Sequence, residues 1–131
     1  MSNIEWTKLL GWNEEQLEDL RHAAFAYIRQ GKYDIALPIF DALHLLNPEN
    51  AYDAQTLGAL YLEVGEPAKA AKILERALKL ETDHSPTLLN FTKTLFMLGK
   101  KEEGLKLAYM LKNETNIYIA NAATALILAH E

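Results

Sequence analysis

Histidines and carboxylates are the side chains of this sequence most able to do chemistry. The four histidines are His22, His44, His84 and His130, and their spacing matches no pattern in which histidines bind a metal. Glu81, Asp83 and His84 share one predicted turn and could contact a cation, but polar side chains there more often cap the next helix. The sequence has no cysteine, no glycine-rich phosphate loop and no Gly-x-Ser-x-Gly turn. We therefore expect no enzyme activity, no catalytic residue, no bound metal and no cofactor.

Charge is unevenly spread over the 131 residues, whose formal net charge is −5. The stretch 1–65 carries 4 basic and 10 acidic side chains, whereas the stretch 66–112 carries 9 basic and 6 acidic ones. Four of these basic residues recur at helical spacing: Lys69, Lys72, Arg76 and Lys79. This spacing is typical of a solvated helix face, and the alternative is a patch for an acidic partner. Because a nucleic-acid binder normally carries a dense basic face, we expect no nucleic-acid partner.

Hydrophobic runs in this sequence are short. The longest one near the C-terminus, residues 122–129, falls far below the length needed to cross a bilayer. The first residues lack the basic flank and apolar stretch of a signal peptide. We therefore expect a cytoplasmic protein without a membrane span.

A repeat of constant length organises the chain. Gly31, Gly65 and Gly99 recur at one fixed interval, and each separates two segments with helical apolar periodicity. Glycine tolerates the left-handed conformation that ends a helix, so the three glycines predict three equivalent turns between paired helices. No strand pattern occurs, and the fold class expected is therefore all-α.

Signature residues around these turns resemble those of the tetratricopeptide-repeat family. Leu57, Gly58 and Tyr61 match its Leu-Gly-x-x-Tyr element, and Ala36 with Phe40 matches its Ala-x-x-x-Phe element. The resemblance covers about residues 17–130. It implies a right-handed solenoid of three helix pairs plus a C-terminal helix.

The helix boundaries follow from caps and prolines. Asn13 and Gln16 form a capping-box pattern, Ser85 is expected to cap a later helix, and Pro38 is expected to distort the helix that contains it. The expected helices are 14–30, 33–46, 51–63, 67–80, 86–98, 101–112 and 116–130. We interpret 1–131 as one domain with an N-terminal segment, 1–12, repeats at 17–50, 51–84 and 85–118, and a C-terminal helix at 117–130.

Both ends of the chain are unusually apolar. The N-terminal segment contains Ile4, Trp6, Leu9, Leu10 and Trp12, which predict a short helix packed either on the repeats or on a second subunit. The C-terminal helix is apolar nearly all round, whereas a terminal repeat normally has a polar outer face. The N-terminal segment or another chain should cover this helix, or the helix contributes to a binding groove. The alternatives thus include a homodimer or a co-chaperone contact through either end.

A narrower resemblance covers about residues 17–85. The strings Ala24-Phe25-Ala26-Tyr27, Gln30-Gly31-Lys32-Tyr33-Asp34 with Ala36, and Phe40-Asp41-Ala42-Leu43 with Leu46-Asn47-Pro48 are similar to those of class II chaperones of bacterial type III secretion, of the SycD and LcrH type. The resemblance implies a bacterial cytoplasmic chaperone that holds a translocator or another secreted subunit, such as a needle protein, before export.

The concave side of such a solenoid predicts a protein-binding groove. The side chains expected on it are Arg21, Phe25, Ile28, Tyr52, Gln55, Ala59, Leu62, Leu89, Lys93, Phe96 and Met97. A helix that is apolar on two faces needs a partner for the second face, although any one of these residues could be core. The groove predicts a chaperone that masks a client segment, and the alternative is a general tetratricopeptide adaptor in a stable complex.

Tetratricopeptide domains that bind the C-terminal carboxylate of heat-shock chaperones use a clamp of lysine, asparagine and arginine on this same face. The matching positions here hold Arg21, Phe25, Thr56, Pro86 and Asn90. Only Asn90 is a similar polar group, so we do not expect binding of a terminal carboxylate.

Overall fold

The computed structural model describes residues 11–131, which form seven α-helices and no strand. The helices are α1 (Glu14–Arg29), α2 (Tyr33–Leu46), α3 (Ala51–Glu63), α4 (Pro67–Leu80), α5 (Ser85–Met97), α6 (Lys101–Leu111) and α7 (Ile117–His130). Each expected helix is present within one residue of its predicted ends, and the all-α class is confirmed. The short helix expected in the N-terminal segment lies outside the described residues, apart from Gly11 and Trp12.

Local sequence explains most helix ends. The Asn13 side chain accepts a hydrogen bond from the Gln16 amide at 3.0 Å, and the Gln16 side chain accepts one from the Asn13 amide at 2.8 Å. This capping box starts α1 as expected. Gly31, Gly65 and Gly99 have φ values of 75°, 81° and 78°, so all three turns use the left-handed conformation that a side chain would strain.

One local prediction differs from the structure. Ser85 does not cap α5, because His84 occupies the cap position and Ser85 is the first helical residue. The Ser85 hydroxyl instead donates a 2.5 Å hydrogen bond to the Glu114 carboxylate. Pro38 lies inside α2, which continues through it as one helix.

Packing follows the order of the chain. Each helix contacts the next one, and the only other contacting pairs among the described helices are α3 with α5 and α5 with α7. One buried cluster lies between α1, α2 and α3 and contains Leu17, Ala24, Ala36, Phe40, Leu43, Leu57 and Leu60. A second lies between α5, α6 and α7 and contains Leu89, Leu111, Ile119 and Ala123. This neighbour-only pattern is that of a repeat solenoid.

Small residues allow the paired helices to approach closely. A methyl group on Gly58 of α3 would collide with the buried Leu74 side chain of α4. A Cβ on Gly104 of α6 would lie 2.8 Å from the Phe96 ring of α5. Glycine at these positions therefore sets the distance between the two helices of the second and third pairs.

None of the described helices combines the length and the hydropathy that crossing a bilayer requires.

Candidate protein-binding groove

A cavity that we call the main cavity lies along the first helices of the three pairs. It is open to solvent, has a volume of about 440 Å³, and is walled mostly by α1, α3 and the start of α5. The residues that line it are Phe25, Ile28, Tyr33, Tyr52, Gln55, Thr56, Ala59, Leu60, Glu63, His84, Pro86, Thr87 and Asn90. Apolar side chains form most of this lining, so the cavity can take up an apolar side chain of a bound molecule.

Five of the eleven predicted groove residues line this cavity: Phe25, Ile28, Tyr52, Gln55 and Ala59. The cavity also includes Thr56, Pro86 and Asn90, which the comparison with the carboxylate clamp places on the same face. Sequence reasoning missed Tyr33, Leu60, Glu63, His84 and Thr87. Tyr33 and Glu63 could have been predicted from helical periodicity, because each lies at the end of a helix next to a glycine turn.

Two aromatic rings, those of Phe25 and Tyr52, line the cavity, and we call this pair the aromatic ridge. The Phe25 ring packs edge-on against the buried Phe40 ring, with centroids 5.5 Å apart, and it lies 5.7 Å from the Tyr52 ring. Tyr52 remains about half exposed. Partial burial raises the pKa of its phenol, so this ring is a neutral apolar contact with a polar edge.

A second cavity of about 470 Å³ begins on the other side of this ridge. It is lined by Glu18, Arg21, His22, Phe25, Asn50 and Tyr52. Phe25 and Tyr52 therefore belong to both cavities, which makes one groove with two compartments.

Arg21 is held by four hydrogen bonds to carboxylates beneath this second cavity. Its Nε and Nη2 donate to the two oxygens of Asp53 at 2.7 and 2.8 Å, and its Nη1 donates to Glu18 at 2.8 Å and to Glu14 at 3.3 Å. The hydrogen bond with Asp53 raises the pKa of Arg21. Asp53 is fully buried. The pair connects α1 to α3, whose backbones do not contact each other directly.

Two predicted groove residues differ from a simple open lining. Arg21 lines the second cavity, but it is buried and four of its five N–H groups bind carboxylates, so it does not present a free cation to the groove. Leu89 is a core side chain packed with Leu111 and Ile119, because α6 and α7 cover that face of α5. The prediction that Leu89 lies open in the groove is wrong.

The remaining predicted residues do not line the main cavity. These are Leu62, Lys93, Phe96 and Met97. Phe96 stacks on His130 of α7, with centroids 4.0 Å apart and planes 5° from parallel. The end of α7 therefore covers Phe96, whereas Met97 remains about half exposed.

Polar contacts fix one rim of the main cavity. The Gln55 amide donates to Glu81 at 2.9 Å, and His84 Nδ1 lies 2.7 Å from the Thr87 hydroxyl. His84 Nε2 lies 3.9 Å from Glu81. These contacts connect the turn before α5 to α3. The part of the chain that the structure describes holds no group of three potential metal ligands.

The C-terminal helix leaves an apolar face uncovered. Ile119, Ala123 and Ile127 of α7 are buried, whereas Ile117, Tyr118 and Leu128 are about three-quarters exposed. Leu128 occupies the repeat position that Leu60 holds in α3 and Thr94 holds in α5, and both of those are buried. Leu60 packs in the cluster between α1, α2 and α3, and no described helix follows α7. The face does not line the main cavity.

Comparison with known families gives a match over most of the chain. The family model described as anaphase-promoting complex, cyclosome, subunit 3 matches residues 29–110. A curated relative, DnaJ homolog subfamily C member 3 of Gallus gallus, is 28% identical over 91 residues, which are 70% of this chain and 18% of that protein. The chain therefore spans about a fifth of the length of that relative.

Solved structures with the same fold include two secretion chaperones. PcrH in complex with the chaperone binding region of PopD has a TM-score of 0.80 and 22% identity, covering 91% of this chain and 93% of that one. SycD of Yersinia enterocolitica has a TM-score of 0.78 and 19% identity, covering 94% and 96%. The first tetratricopeptide domain of Spaghetti (RPAP3), bound to an HSP90 peptide, has a TM-score of 0.77 and 23% identity, covering 89% and 94%. These likenesses confirm the tetratricopeptide fold.

Proposed function

We propose that this chain, which belongs to the family of anaphase-promoting complex, cyclosome, subunit 3, is a chaperone that holds a client protein segment in its groove. The client is a subunit exported by type III secretion, a translocator or a needle protein. The chaperone covers the surface through which the client would otherwise assemble. The proposal includes a bacterial cytoplasmic location and no catalytic step.

The observation that carries the proposal is the apolar main cavity on the aromatic ridge. Phe25, Ile28, Tyr52 and Ala59 line it and present apolar surface that nothing within the described chain fully covers. Burying apolar surface stabilises a complex by roughly 25 cal/mol per Å². A few anchor side chains of a client would therefore supply most of the binding energy.

Two relatives of the same fold support the kind of client. PcrH is solved with the chaperone binding region of PopD, and SycD with a peptide of the translocator YopD. In both cases the bound partner is a segment of another protein. A groove of similar overall architecture is therefore suited to a chain segment rather than to a small metabolite.

A general adaptor in a stable complex is the second candidate. The family description names a subunit of a large assembly, and the RPAP3 domain is bound to a heat-shock peptide, SRMEEVD. The groove of this chain does not suit that acidic peptide, because its arginine is paired with Asp53, Glu18 and Glu14. A client that is released for export distinguishes the chaperone from an adaptor, which keeps its partner.

The proposal also includes a second subunit at one end of the molecule. The uncovered face of α7 and the N-terminal segment are the two places for a second copy or a co-chaperone. Exposed apolar side chains on α7, Ile117, Tyr118 and Leu128, support the first place.

Affinity purification from a bacterial host with type III secretion tests the proposed function. The tagged chain is purified without denaturant, its partners are identified by mass spectrometry, and the partner's export is followed. We expect a small exported subunit at near-equal stoichiometry, lost in the Tyr52→Glu variant and kept in the matched Tyr118→Glu variant on α7. Both tyrosines are surface-accessible, so both variants should fold. A partner that binds Tyr52→Glu equally well, or that is never exported, contradicts the proposal.

A further inference from the structure

The two compartments of the groove differ in chemistry. We propose that the groove selects client segments in which an apolar anchor lies close to a lysine or arginine, with the anchor in the main cavity and the basic side chain in the second cavity. This inference rests on the proposed function, because it specifies the segment that the same groove binds.

Carboxylates outnumber cations around the second cavity. Arg21 is surrounded by Asp53, Glu18 and Glu14, which places three carboxylates around one guanidinium. The guanidinium is buried, and Asp53 binds it from inside the protein. Glu18 lines the second cavity and its side chain is 55% exposed, whereas the Arg21 side chain is 7% exposed, so this pair presents negative charge to the groove.

Glu18 is placed to contact a ligand as well as Arg21. It lines the second cavity, and a carboxylate can accept hydrogen bonds at both of its oxygens. One oxygen accepts from Arg21 Nη1 at 2.8 Å, which fixes the side chain at the cavity wall. A lysine or arginine of the client would therefore meet a carboxylate that is already positioned.

The main cavity adds to the same preference. Glu63 lines it, and Glu81 lies next to it through its hydrogen bond to Gln55. An acidic client residue would meet repulsion in both compartments, whereas a basic one would be attracted in both. The groove therefore discriminates by charge as well as by apolar contact.

The aromatic ridge lies between the two client side chains, because Phe25 and Tyr52 line both cavities. An extended chain advances about 3.3 Å per residue. A basic residue within about four residues of the anchor can therefore cross the ridge and reach the second cavity.

A random peptide library displayed on phage tests this selectivity with the full chain as bait. Peptides that the wild-type chain enriches, and the Tyr52→Glu variant does not, are groove ligands. We expect these peptides to carry lysine or arginine within four residues of a leucine or an aromatic residue. Groove ligands without this charge bias would overturn the inference and leave the proposed function standing. Failure to recover any groove ligand would overturn both.

One selected peptide is then synthesised with lysine, norleucine or glutamate at the basic position. We expect the lysine peptide to bind about fivefold more tightly than the norleucine peptide and the glutamate peptide to bind most weakly, with the lysine advantage shrinking as salt is raised. Equal affinities for the three peptides contradict the inference.

Glu18→Gln should remove most of the lysine advantage. The matched control is Glu102→Gln, which makes the same charge change at an exposed position in the first turn of α6. Glu14→Gln serves as a second variant with a smaller effect, because Glu14 contacts Arg21 but does not line the second cavity. An unchanged lysine preference in both Glu18→Gln and Glu14→Gln overturns the assignment.

Discussion

Arg21 and Asp53 form the contact that connects the first and second repeats at the groove. Their bidentate contact crosses between α1 and α3, whose backbones do not pack directly on each other. Burial of both side chains removes water from the pair, so neither charge can be left without the other at low cost.

Asp53→Asn is therefore expected to lower the free energy of unfolding by about 3 kcal/mol, since it leaves the Arg21 charge buried with weaker partners. Urea denaturation followed by circular dichroism measures this change. The matched control Asp19→Asn removes an exposed carboxylate of α1 and should change stability by less than about 0.5 kcal/mol. Equal midpoints for the two variants contradict the structural role of the pair.

His44 gives the fold a pH dependence of its own. Burial lowers the pKa of its imidazole, and its Nδ1 has no hydrogen-bond partner. The unfolded state therefore binds the proton more readily, and stability falls as pH drops through the ordinary histidine pKa of about 6.5. Nearby Arg76 acts in the same direction, while Asp53 and Asp41 oppose it.

The stability lost between pH 7.5 and pH 5.5 should accordingly be smaller in His44→Gln than in the wild type. Chemical denaturation at the two pH values measures the difference. His22→Gln, which alters an exposed histidine of α1, should keep the full loss. If His44→Gln and the wild type lose the same stability over this pH range, the loss comes from groups other than His44.

The sequence predicted the position of some groove residues but not the role of others. Phe25, Tyr52 and Ala59 could be placed because helical periodicity gives the face of a helix. The roles of Arg21 and Leu89 could not, because they depend on side chains that other helices bring close, Asp53 for the first and Leu111 for the second. Periodicity gives the direction of a side chain but not the residues of other helices that contact it.

At the scale of the helix, Gly58 sets the closest approach in the second pair. Alanine at this position would gain about 1 kcal/mol in helix propensity. It would also push into the fully buried Leu74, and overpacking costs about 1–3 kcal/mol.

We expect Gly58→Ala to be destabilised overall by about 1 kcal/mol, because the overpacking exceeds the propensity gain. Shortening the opposing side chain should relieve it, so Leu74→Val should cost less in the Gly58→Ala background than in the wild type. A double-mutant cycle by urea denaturation measures the coupling. Strict additivity would mean that the two positions do not limit the helix distance.

The C-terminal helix makes a separate prediction about association. Leu128→Lys should leave the free energy of unfolding within about 0.5 kcal/mol of wild type, because the side chain is about three-quarters exposed. The same change should weaken a contact with a second copy if α7 is the interface. Sedimentation velocity over a concentration series measures this. Ile127→Lys, on the buried face, is the contrasting variant and should unfold the helix.

Helix positions were predictable because the chain marks them locally. The capping box at Asn13 and the glycines at 31, 65 and 99 define the ends within one residue. Ser85 was assigned wrongly as a cap because its hydroxyl finds Glu114, which lies beyond the next helix, and sequence spacing gives no sign of that contact.

At the scale of the whole molecule, stability should be uneven along the chain. Helices α3 and α4 have neighbours on both sides, whereas α7 has neighbours on one side only among the described helices. Repeat proteins with such contacts open from their ends.

Backbone amides of α7 should consequently exchange with deuterium faster than those of α3 and α4. Hydrogen exchange followed by mass spectrometry on the intact chain measures this order. Uniform exchange across the seven helices would indicate a single cooperative unit.

The neighbour-only packing also relates the groove to the order of synthesis. Every wall of the main cavity comes from residues up to Asn90, and each wall packs on helices that precede it or follow directly. In a repeat protein folding can start in one part of the chain and propagate to neighbouring repeats. The client surface can therefore take shape before α6 and α7 are translated, and these two helices are added to a binding site that already exists.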